Sequence, residues 1–473
     1  MLAPFGHAAM SDLSPPPGVM LLRWERIGLT LFALLITAFG VLTEIKSSRE
    51  QHRQTDLGVY LRAAFAVRSG GDIYQVTDNN GRHYTYPPTF AVLMTPLADA
   101  PDGASRDGLL PYPLSVALWT LFNYFLLARI THVLATLLLP GETWGSRRWW
   151  YARTVPIYVT LAGLFHSIGF GQANVLVVAT LVEMLRGRVT GRSLQAGCWL
   201  AVAIVLKVFP AYLLLYPIFL RDRRFGIGLA LGLVVGLVVI PVAGLGVTGA
   251  EKAYHSFVDR VLIPGGMGTD TPEQLRELLP MKGENQSFLG VLHNNLYLNF
   301  TWDASDDSVN YPATASKVER LIHYIISAVF TLLTLGVAWR HGLTSKANEV
   351  IFVGSLMLLM LHITPISHPH YYSFGVVLVA GLWLQGMSRI SGVWPGWSVT
   401  LPLVTWSVGN APSFLPGSTF ELLNFRGLGL VCSIMLWAVA MTKINSHGIP
   451  VGASVGSSAM QNRRSKEIQV MSA

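Results

Sequence analysis

The chain has 473 residues, of which 51% are hydrophobic and only 13% are charged. A soluble protein of this size carries about a quarter charged residues, so the composition excludes an ordinary soluble fold. The net charge of +8 does not indicate nucleic-acid binding, because no strip of aromatic and basic residues lies on a soluble domain. A polytopic membrane protein is therefore predicted.

The first apolar run, 27–42, follows a charged patch, and no small-residue cleavage site stands behind it. We interpret it as a retained signal-anchor helix and not as a removed signal peptide. Residues 1–22, which contain SPPPG, are predicted to form a cytoplasmic tail. Residues 445–473, rich in Ser, Gly and Arg, are predicted to form a second, disordered cytoplasmic tail. Residues 23–444 would then form one integral membrane domain.

Apolar segments recur along this domain, and a membrane span needs roughly 20 apolar residues. They lie at about 27–43, 112–139, 154–168, 172–185, 195–206, 208–220, 226–247, 320–339, 348–366, 371–386, 398–412 and 427–442. Four of these segments are short and form two pairs. GFGQ separates 154–168 from 172–185, and KVFP separates 195–206 from 208–220. A 12-residue helix covers only about 18 Å, so these pairs are predicted to enter from one face, break at mid-depth and return. The fold class is thus an all-α bundle of about 12 transmembrane or re-entrant helices.

Basic residues predict the orientation of the bundle, because cytoplasmic loops collect Lys and Arg. With the N-terminus inside, the inner segments carry 18 Lys and Arg against 7 Asp and Glu, and the outer segments carry 14 against 19. Both termini are therefore predicted to be cytoplasmic. Two long outer loops result, at about 44–111 and 248–319. Each contains an amphipathic stretch, at 60–68 and 251–263, so both are predicted to be ordered and functional.

Polar side chains occupy the two breaks between the short segments. Gln172 and Asn174 lie in the first break, and Lys207 lies in the second. A cation at membrane depth costs about 2.5–3.5 kcal/mol on insertion scales, so Lys207 is predicted to face a polar cavity. The alternative is that its side chain snorkels to the membrane interface.

Two further features carry alternative interpretations. His362, His368 and His370 lie within nine residues and could ligate a metal, form hydrogen bonds at a helix end or bind phosphate. Asp56 follows the first span, where it could be catalytic or an ordinary N-cap of a helix starting near Gly58. The two cysteines fall within apolar runs, which excludes a disulfide framework in the outer loops.

Six motifs in a fixed order resemble those of glycosyltransferase family 87, over about residues 27 to 386. They are DLGVYLRAAFAVRSGGDIYQ, YTYPPTFAVLMTPLA, GQANVLVVATLV, AIVLKVFPAYLLLYPIFLRDRR, ENQSFLG and TPISHPHYY. No single motif is specific to this family, but the combination of all six in this order is. The family includes polyprenol-phosphate-mannose-dependent mannosyltransferases of mycobacterial glycolipid synthesis.

The resemblance implies a GT-C fold and an inverting enzyme whose active site faces outward from the cell membrane. The implied donor is a polyprenyl-phosphate monosaccharide, with mannose as the expected sugar, and the implied acceptor is a lipid or glycolipid. No metal or other cofactor is implied, since no nucleotide leaves and no Asp-x-Asp site is evident. The implied partners are thus the two substrates and membrane lipids, without nucleic acid.

The resemblance also assigns roles to individual residues. It places the catalytic carboxylate on Asp56 and the donor-phosphate contacts on Lys207, His370 and His368. The substrate-binding candidates are Tyr60, Tyr86, Gln172, Asn174, Asn285 and Gln286. The family pattern Ser-Pro-x-Ser-Trp-x-His-His reads TPISHPHY here, so His368 replaces the Trp and Tyr371 replaces the second His.

Two other functions are compatible with the same residues. A transporter or lipid flippase could use Asp56 and Lys207 as substrate-binding charges during alternating access. Long ordered outer loops favour the enzyme, and the absence of an inverted repeat in the sequence weighs against a secondary transporter. A non-catalytic subunit that binds lipid-linked sugars is the third possibility.

Overall fold

A computed structural model describes residues 19–49, 55–78, 81–101, 109–264, 285–297, 312, 314–414 and 418–444. Within these ranges the regular secondary structure is helical, and extended pairing is limited to two isolated bridges, Met20 with Ser146 and Thr77 with His83. The prediction of an all-α fold is confirmed. Most of both predicted tails and parts of both predicted outer loops lie outside the described residues.

The helices are numbered here in chain order over the described ranges. The first nine are α1 (Arg23–Arg49), α2 (Asp56–Ser69), α3 (Pro88–Leu93), α4 (Tyr112–Leu138), α5 (Arg147–Val159), α6 (Leu161–Gly169), α7 (Asn174–Val189), α8 (Ser193–Leu206) and α9 (Leu215–Leu220). The others are α10 (Arg223–Val234), α11 (Ile240–Phe257), α12 (Phe288–Tyr297), α13 (Lys317–His341), α14 (Lys346–Ile363), α15 (Val376–Ser388), α16 (Trp397–Asn410), α17 (Ser418–Phe425) and α18 (Leu428–Ile444). Two 3₁₀ segments border the site described below, Phe209–Leu214 and Pro369–Gly375.

Five helical stretches of the described chain are long and apolar enough to cross a membrane. They are Arg23–Ser47, Tyr112–Leu138, Arg223–Leu262, Lys317–His341 and Lys346–Ile363. Shorter apolar helices include Ser193–Leu206, Phe209–Leu220 and Leu428–Ile444. The chain is therefore an integral membrane protein, as predicted. The count of about 12 transmembrane or re-entrant helices stays a prediction.

The chain turns back at Lys207, whereas re-entry into the membrane stays a prediction. Helix α8 begins at Ser193, and the chain returns through the 3₁₀ segment and α9 to Asp222. Ser193 forms a side-chain hydrogen bond with Asp222, which also lies 3.9 Å from Arg188 near the end of α7. Both ends of the pair therefore lie at the same end of the bundle, and Lys207 lies at the far turn.

Arginines concentrate at the end of the bundle opposite Asp56. Arg147 pairs there with Glu25 at 2.5 Å, which joins the start of α5 to the start of α1. Helices α5 and α6 then run about 34 Å, by their rise per residue, to Phe170. The Phe170 carbonyl accepts the backbone N–H of Asp56 at 3.0 Å. The combined length of α5 and α6 is thus close to the thickness of the hydrocarbon core, about 30 Å.

The first predicted outer loop is folded into the bundle where it is described. Helix α2 buries nine of its residues, including Tyr60 and Arg62, and Arg62 lies 3.3 Å from Asp99. The interpretation of 60–68 as an amphipathic stretch was therefore wrong, because both its polar and its apolar residues are largely buried and only Arg68 is exposed. The second predicted stretch is helical, and a break at Gly246 (φ 71°, ψ 170°) separates it from the membrane part of α11.

Close packing of α6 depends on Gly163. A Cβ at this position would lie 2.5 Å from the Ser373 nitrogen and 2.6 Å from the Tyr372 carbonyl carbon. Both atoms are backbone atoms of the 3₁₀ segment that carries His370, so the clash cannot be relieved by a side-chain rotation. We expect Gly163→Ala to destabilise the protein by about 1–3 kcal/mol, the usual cost of overpacking a core.

Thermal melting in detergent checks this expectation. Gly28→Ala is the matched control, because nothing lies within 4 Å of a Cβ built at Gly28. Gly163→Ala should melt clearly below both the wild type and Gly28→Ala. Equal melting of the two variants would mean that α6 does not need this close approach.

Candidate active site

The carboxylate of Asp56 is held by side chains from two other segments. Helix α2 starts at Asp56, and its N-cap is Thr55, whose side chain makes no capping hydrogen bond. Asp56 Oδ1 accepts a hydrogen bond from Arg82 Nη1 at 2.9 Å, and Asp56 Oδ2 accepts one from Gln172 Nε2. The alternative that Asp56 is an ordinary N-cap is therefore wrong.

The surroundings of Asp56 change its acidity. Burial raises the pKa of this carboxyl above its ordinary value, and the charges of Arg82 and Lys207 oppose that rise only in part. Its side chain is still 24% exposed, so a substrate hydroxyl can approach it. A carboxylate with a raised pKa is a stronger base than a free aspartate, which favours a role in accepting a proton.

The Gln172 carboxamide connects Asp56 to the other predicted site residues. Its nitrogen donates to Asp56, and its Oε1 accepts from Tyr86 OH at 3.0 Å and from Lys207 Nζ at 3.4 Å. Tyr60 OH donates to Tyr86 OH at 2.7 Å. The structure thus brings five sequence-predicted residues into one hydrogen-bonded network.

Gly171 explains why the GFGQ break has this shape. Its φ of +64° lies in the left-handed region, which suits glycine, and a Cβ there would lie 2.6 Å from Leu57 Cβ. The turn places Gln172 directly after the closest approach of this segment to α2. The Trp119 indole N–H also donates to the Gly171 carbonyl at 3.0 Å, which fixes the turn against α4.

Lys207 is buried, with only 7% of its surface exposed, and aromatic rings surround its ammonium group. Lys207 Nζ donates to Asn174 Oδ1 at 2.8 Å and lies 4.5 Å from the Tyr371 ring centroid, 5.1 Å from that of Tyr86 and 5.4 Å from that of Phe209. None of the ion pairs within the described ranges includes Lys207. Snorkelling to an interface is therefore wrong, and the side chain is suited to bind an anion.

His368 and His370 lie beside this ammonium group. Their ring centroids are 5.4 Å apart, and the His370 carbonyl accepts a hydrogen bond from Asn174 Nδ2 at 3.0 Å. Burial and the charge of Lys207 lower the pKa of His368 to about 4. Burial, His368 and Lys207 hold the pKa of His370 well below its usual range. Both rings are therefore neutral at neutral pH, and each can offer one N–H donor.

His362, the third histidine of the cluster, has a different environment. It is fully buried, and His362 Nδ1 lies 2.9 Å from the Gln286 carbonyl oxygen. The described part of the chain contains no group of three or more His, Cys, Asp or Glu arranged to hold a metal ion. Of the three interpretations of this cluster, the contacts favour a hydrogen bond for His362, and the phosphate contact of His368 and His370 stays a prediction.

Asn285 and Gln286 hold the backbone that precedes His368. Asn285 Nδ2 donates to the Pro365 carbonyl at 2.8 Å, and Asn285 Oδ1 accepts from the Ser367 N–H at 2.9 Å. The Gln286 N–H donates to the Ser367 carbonyl at 2.7 Å. These contacts position the His368 loop, whereas the direct substrate contacts predicted for Asn285 and Gln286 stay a prediction.

Arg82 is a site residue that the sequence reasoning missed. The backbone bridge between Thr77 and His83 lies next to it, and Asp78 Oδ1 accepts its backbone N–H at 2.9 Å. The Arg82 guanidinium contacts Asp56 from this position. A basic residue two positions before the YTYPP motif was the available signal.

The profile of glycosyltransferase family 87 matches residues 84–365, which is more than half of the chain. The chain belongs to glycosyltransferase family 87. This confirms the resemblance seen in the six motifs, and the helical bundle agrees with the GT-C fold that it implies. The matched segment contains Tyr86, Gln172 and Lys207, but Asp56 and His370 lie outside it.

A curated relative of this family member comes from Mycobacterium tuberculosis (strain ATCC 25618 / H37Rv). It is the polyprenol-phosphate-mannose-dependent alpha-(1-2)-phosphatidylinositol mannoside mannosyltransferase, and it is 29% identical over 184 residues. The match covers 36% of this chain and 40% of the relative.

Two solved structures of ArnT from Cupriavidus metallidurans were also found. One is the apo state. Its alignment covers 88% of this chain and 77% of the ArnT chain, with 13% sequence identity and a TM-score of 0.36. The other is bound to undecaprenyl phosphate. Its alignment covers 87% of this chain and 77% of the ArnT chain, with the same sequence identity and TM-score.

Proposed function

We propose that this family 87 member is an inverting membrane glycosyltransferase that moves a monosaccharide from a polyprenyl-phosphate donor to a lipid or glycolipid acceptor. Mannose is the proposed sugar, since the mycobacterial relative is named for a polyprenol-phosphate-mannose donor. One observation carries the proposal. A single carboxamide, that of Gln172, joins a carboxylate of raised pKa at Asp56 to the buried amino group of Lys207.

Asp56 acts as the general base in this reaction. The acceptor hydroxyl gives its proton to the Asp56 carboxylate while its oxygen forms a bond to the anomeric carbon of the donor. The bond from that carbon to the phosphate oxygen breaks at the same time, and its electron pair leaves with the lipid phosphate. Attack opposite the leaving group inverts the anomeric configuration, and one carboxylate is sufficient.

Lys207 stabilises the leaving phosphate. The lipid phosphate gains negative charge as the sugar departs, and a preorganised cation in a buried site stabilises that charge more than water does. The neutral rings of His368 and His370 add N–H donors beside Lys207 Nζ. Asn174 links Lys207 to the segment that carries His370, because it accepts a hydrogen bond from Lys207 and donates one to the His370 carbonyl.

The proposed reaction needs no metal ion. The leaving group is one lipid-linked phosphate, and Lys207 supplies the charge that a metal would supply to a nucleotide diphosphate. Transfer should therefore persist in the presence of EDTA, and its loss, restored by a divalent cation, would contradict this part of the proposal.

Reconstitution tests the proposed function directly. The purified full-length chain in nanodiscs is supplied with radiolabelled polyprenyl-phosphate mannose and a membrane lipid extract, and the lipid products are analysed. Label should move from the donor to a more polar lipid. Movement of intact donor across proteoliposomes without cleavage would instead favour a flippase, and donor binding without cleavage or movement would favour a non-catalytic subunit.

We further propose that the site faces outward from the cell membrane, with both termini in the cytoplasm. The support is the cluster of arginines at the opposite end of the bundle. In a background without Cys198 and Cys432, a membrane-impermeant maleimide added from outside should label Gln75→Cys but not Arg224→Cys. Both positions are exposed at the protein surface. The reverse labelling pattern would overturn this orientation.

Arg82→Gln should shift the pH dependence of transfer. Burial raises the pKa of Asp56 and the Arg82 charge opposes that rise, so loss of the charge should raise this pKa further. Asp56 accepts a proton only when ionised, so activity is lost as pH falls through its pKa. The acidic limb of kcat/KM, which reports the free enzyme, should therefore move to higher pH.

Arg68→Gln is the control for this experiment. Arg68 is exposed in the last turn of α2, so the variant removes the same charge from the same region without a contact to Asp56. Its pH profile should match the wild type. An Arg82→Gln profile with an unmoved acidic limb would show that Arg82 does not control the ionisation of the catalytic base.

A further inference from the structure

A cavity of about 440 Å³ lies between α4 and α5, at the arginine-rich half of the bundle. Its lining includes Phe125, Ala128, Arg129, His132, Trp149 and Arg153. It is separate from the active site. Trp119, which contacts the Gly171 turn, lies ten residues before Arg129 on α4, so the two places are about 15 Å apart along the helix.

Arg153 is the principal polar group of this cavity. Its Nε donates to His132 Nδ1 at 3.3 Å, its Nη1 donates to the Trp149 carbonyl at 3.0 Å, and its guanidinium lies 4.1 Å from the Trp149 ring centroid. A guanidinium has five N–H donors, so three remain. Within the described chain no ion pair includes Arg153, and the acid that influences it, Glu142, pairs with Arg148 at 2.7 Å.

The other arginine of the lining, Arg129, is already paired. Glu183 lies 2.8 Å from Arg129 and 2.5 Å from Arg186, and neither Glu183 nor Arg186 lines the cavity. The positive charge available at the lining is therefore that of Arg153, which an anion beside it would balance.

The rest of the lining is apolar except for Thr131, His132 and Thr154, and it opens to the surface of the bundle. Phe125 is 64% exposed, Ala128 is also exposed, and Ile157 lies partly exposed on the facing helix. Trp149 and Trp150 pack edge to face at 4.9 Å beside the arginine, and tryptophans concentrate at the depth of lipid headgroups. A free inorganic anion would leave this apolar surface uncovered, whereas a lipid would cover it.

We propose that this cavity binds an anionic glycerophospholipid of the leaflet opposite the active site. The lipid phosphate accepts hydrogen bonds from Arg153, and one acyl chain lies along Phe125 and Ala128. The proposal rests on residues outside the Asp56 network and is independent of the glycosyl-transfer reaction.

Native mass spectrometry of the full-length protein tests this proposal with phosphatidylglycerol, phosphatidylcholine and inorganic phosphate as separate probes. The wild type should retain phosphatidylglycerol in preference to phosphatidylcholine, and inorganic phosphate should not compete. Arg153→Gln should weaken phosphatidylglycerol binding by about tenfold or more, because tenfold corresponds to about 1.4 kcal/mol and a hydrogen bond to a charged group is worth at least that much.

Arg340→Gln is the matched control for Arg153→Gln. Arg340 is exposed near the end of α13 and follows Trp339 in the sequence. This position therefore has an arginine next to a tryptophan, as the cavity does, but it does not line the cavity. This variant should bind phosphatidylglycerol like the wild type. Equal weakening by Arg153→Gln and Arg340→Gln would overturn the proposal, since total charge alone would then explain binding.

Ala128→Trp tests the apolar part of the site without changing any charge. The larger side chain should fill the cavity from the exposed face of α4, and phosphatidylglycerol retention should fall as it does for Arg153→Gln. Unchanged retention in Ala128→Trp would overturn the proposal, and so would equal retention of the two phospholipids by the wild type. Competition by inorganic phosphate would identify a simple anion site instead.

Discussion

Asp56→Asn is expected to reduce sugar transfer on the order of 10²–10⁴-fold, the usual contribution of proton transfer by a positioned side chain. Asn has nearly the same size and can still accept a hydrogen bond from Gln172, so the fold should be kept. The Arg82 side chain is 42% exposed, and water can solvate it once the charge of its partner is gone. Transfer from polyprenyl-phosphate mannose in nanodiscs is the measurement, with thermal melting as the check on folding.

Asp72→Asn is the matched control for this experiment. Asp72 is an exposed acid in the same part of the chain, and its Oδ1 accepts the Tyr74 N–H at 2.9 Å, a bond that Asn can also make. This control should transfer sugar normally. An Asp56→Asn protein with normal melting and the wild-type rate would exclude Asp56 as the base.

Lys207→Met should cause the second large loss, on the order of 10²–10³-fold in kcat, the usual cost of removing one group that stabilises charge in a transition state. Met keeps most of the length of the side chain, so the packing against Tyr371 and Phe209 should be kept. Burying a charge without a paired carboxylate is unfavourable, so melting of the variant should be unchanged or higher. Transfer kinetics and melting are measured on the same preparation.

The two measurements separate a catalytic from a structural role. A structural role for Lys207 predicts lower melting together with lower activity, because Gln172 and Asn174 would lose a hydrogen-bond donor. A stable variant with normal transfer would show that the phosphate does not meet this ammonium group. Added phosphate-containing lipid should not restore activity, since no other buried cation replaces Lys207 in the described network.

Most of the helices could be predicted because apolar runs and helix breakers are local signals. The breaks at Gln172 and Lys207 were visible as polar residues with glycine or proline beside them, and the structure places both in the site. The grouping of Asp56 with Lys207 came from the family resemblance, because their positions are 151 apart in the sequence.

The partners within the site could not be predicted from local patterns. The Arg82–Asp56 contact joins residues 26 positions apart, and the Gln172–Asp56 contact joins residues 116 apart. Such contacts depend on how α2 packs against the turn after α6. The pKa of His370 could not be predicted for the same reason, because it is lowered by burial and by neighbours that come together only in the fold.

Direct observation of a bound donor tests the central claim most directly. A polyprenyl-phosphonate C-mannoside has no oxygen at the anomeric carbon that could leave, so it should remain intact for cryo-electron microscopy of the full-length protein in nanodiscs. The account predicts that its phosphonate contacts Lys207 Nζ and the rings of His368 and His370, with the anomeric carbon between this group and Asp56. A phosphonate bound elsewhere, with Lys207 still bonded to Gln172 and Asn174, would contradict it.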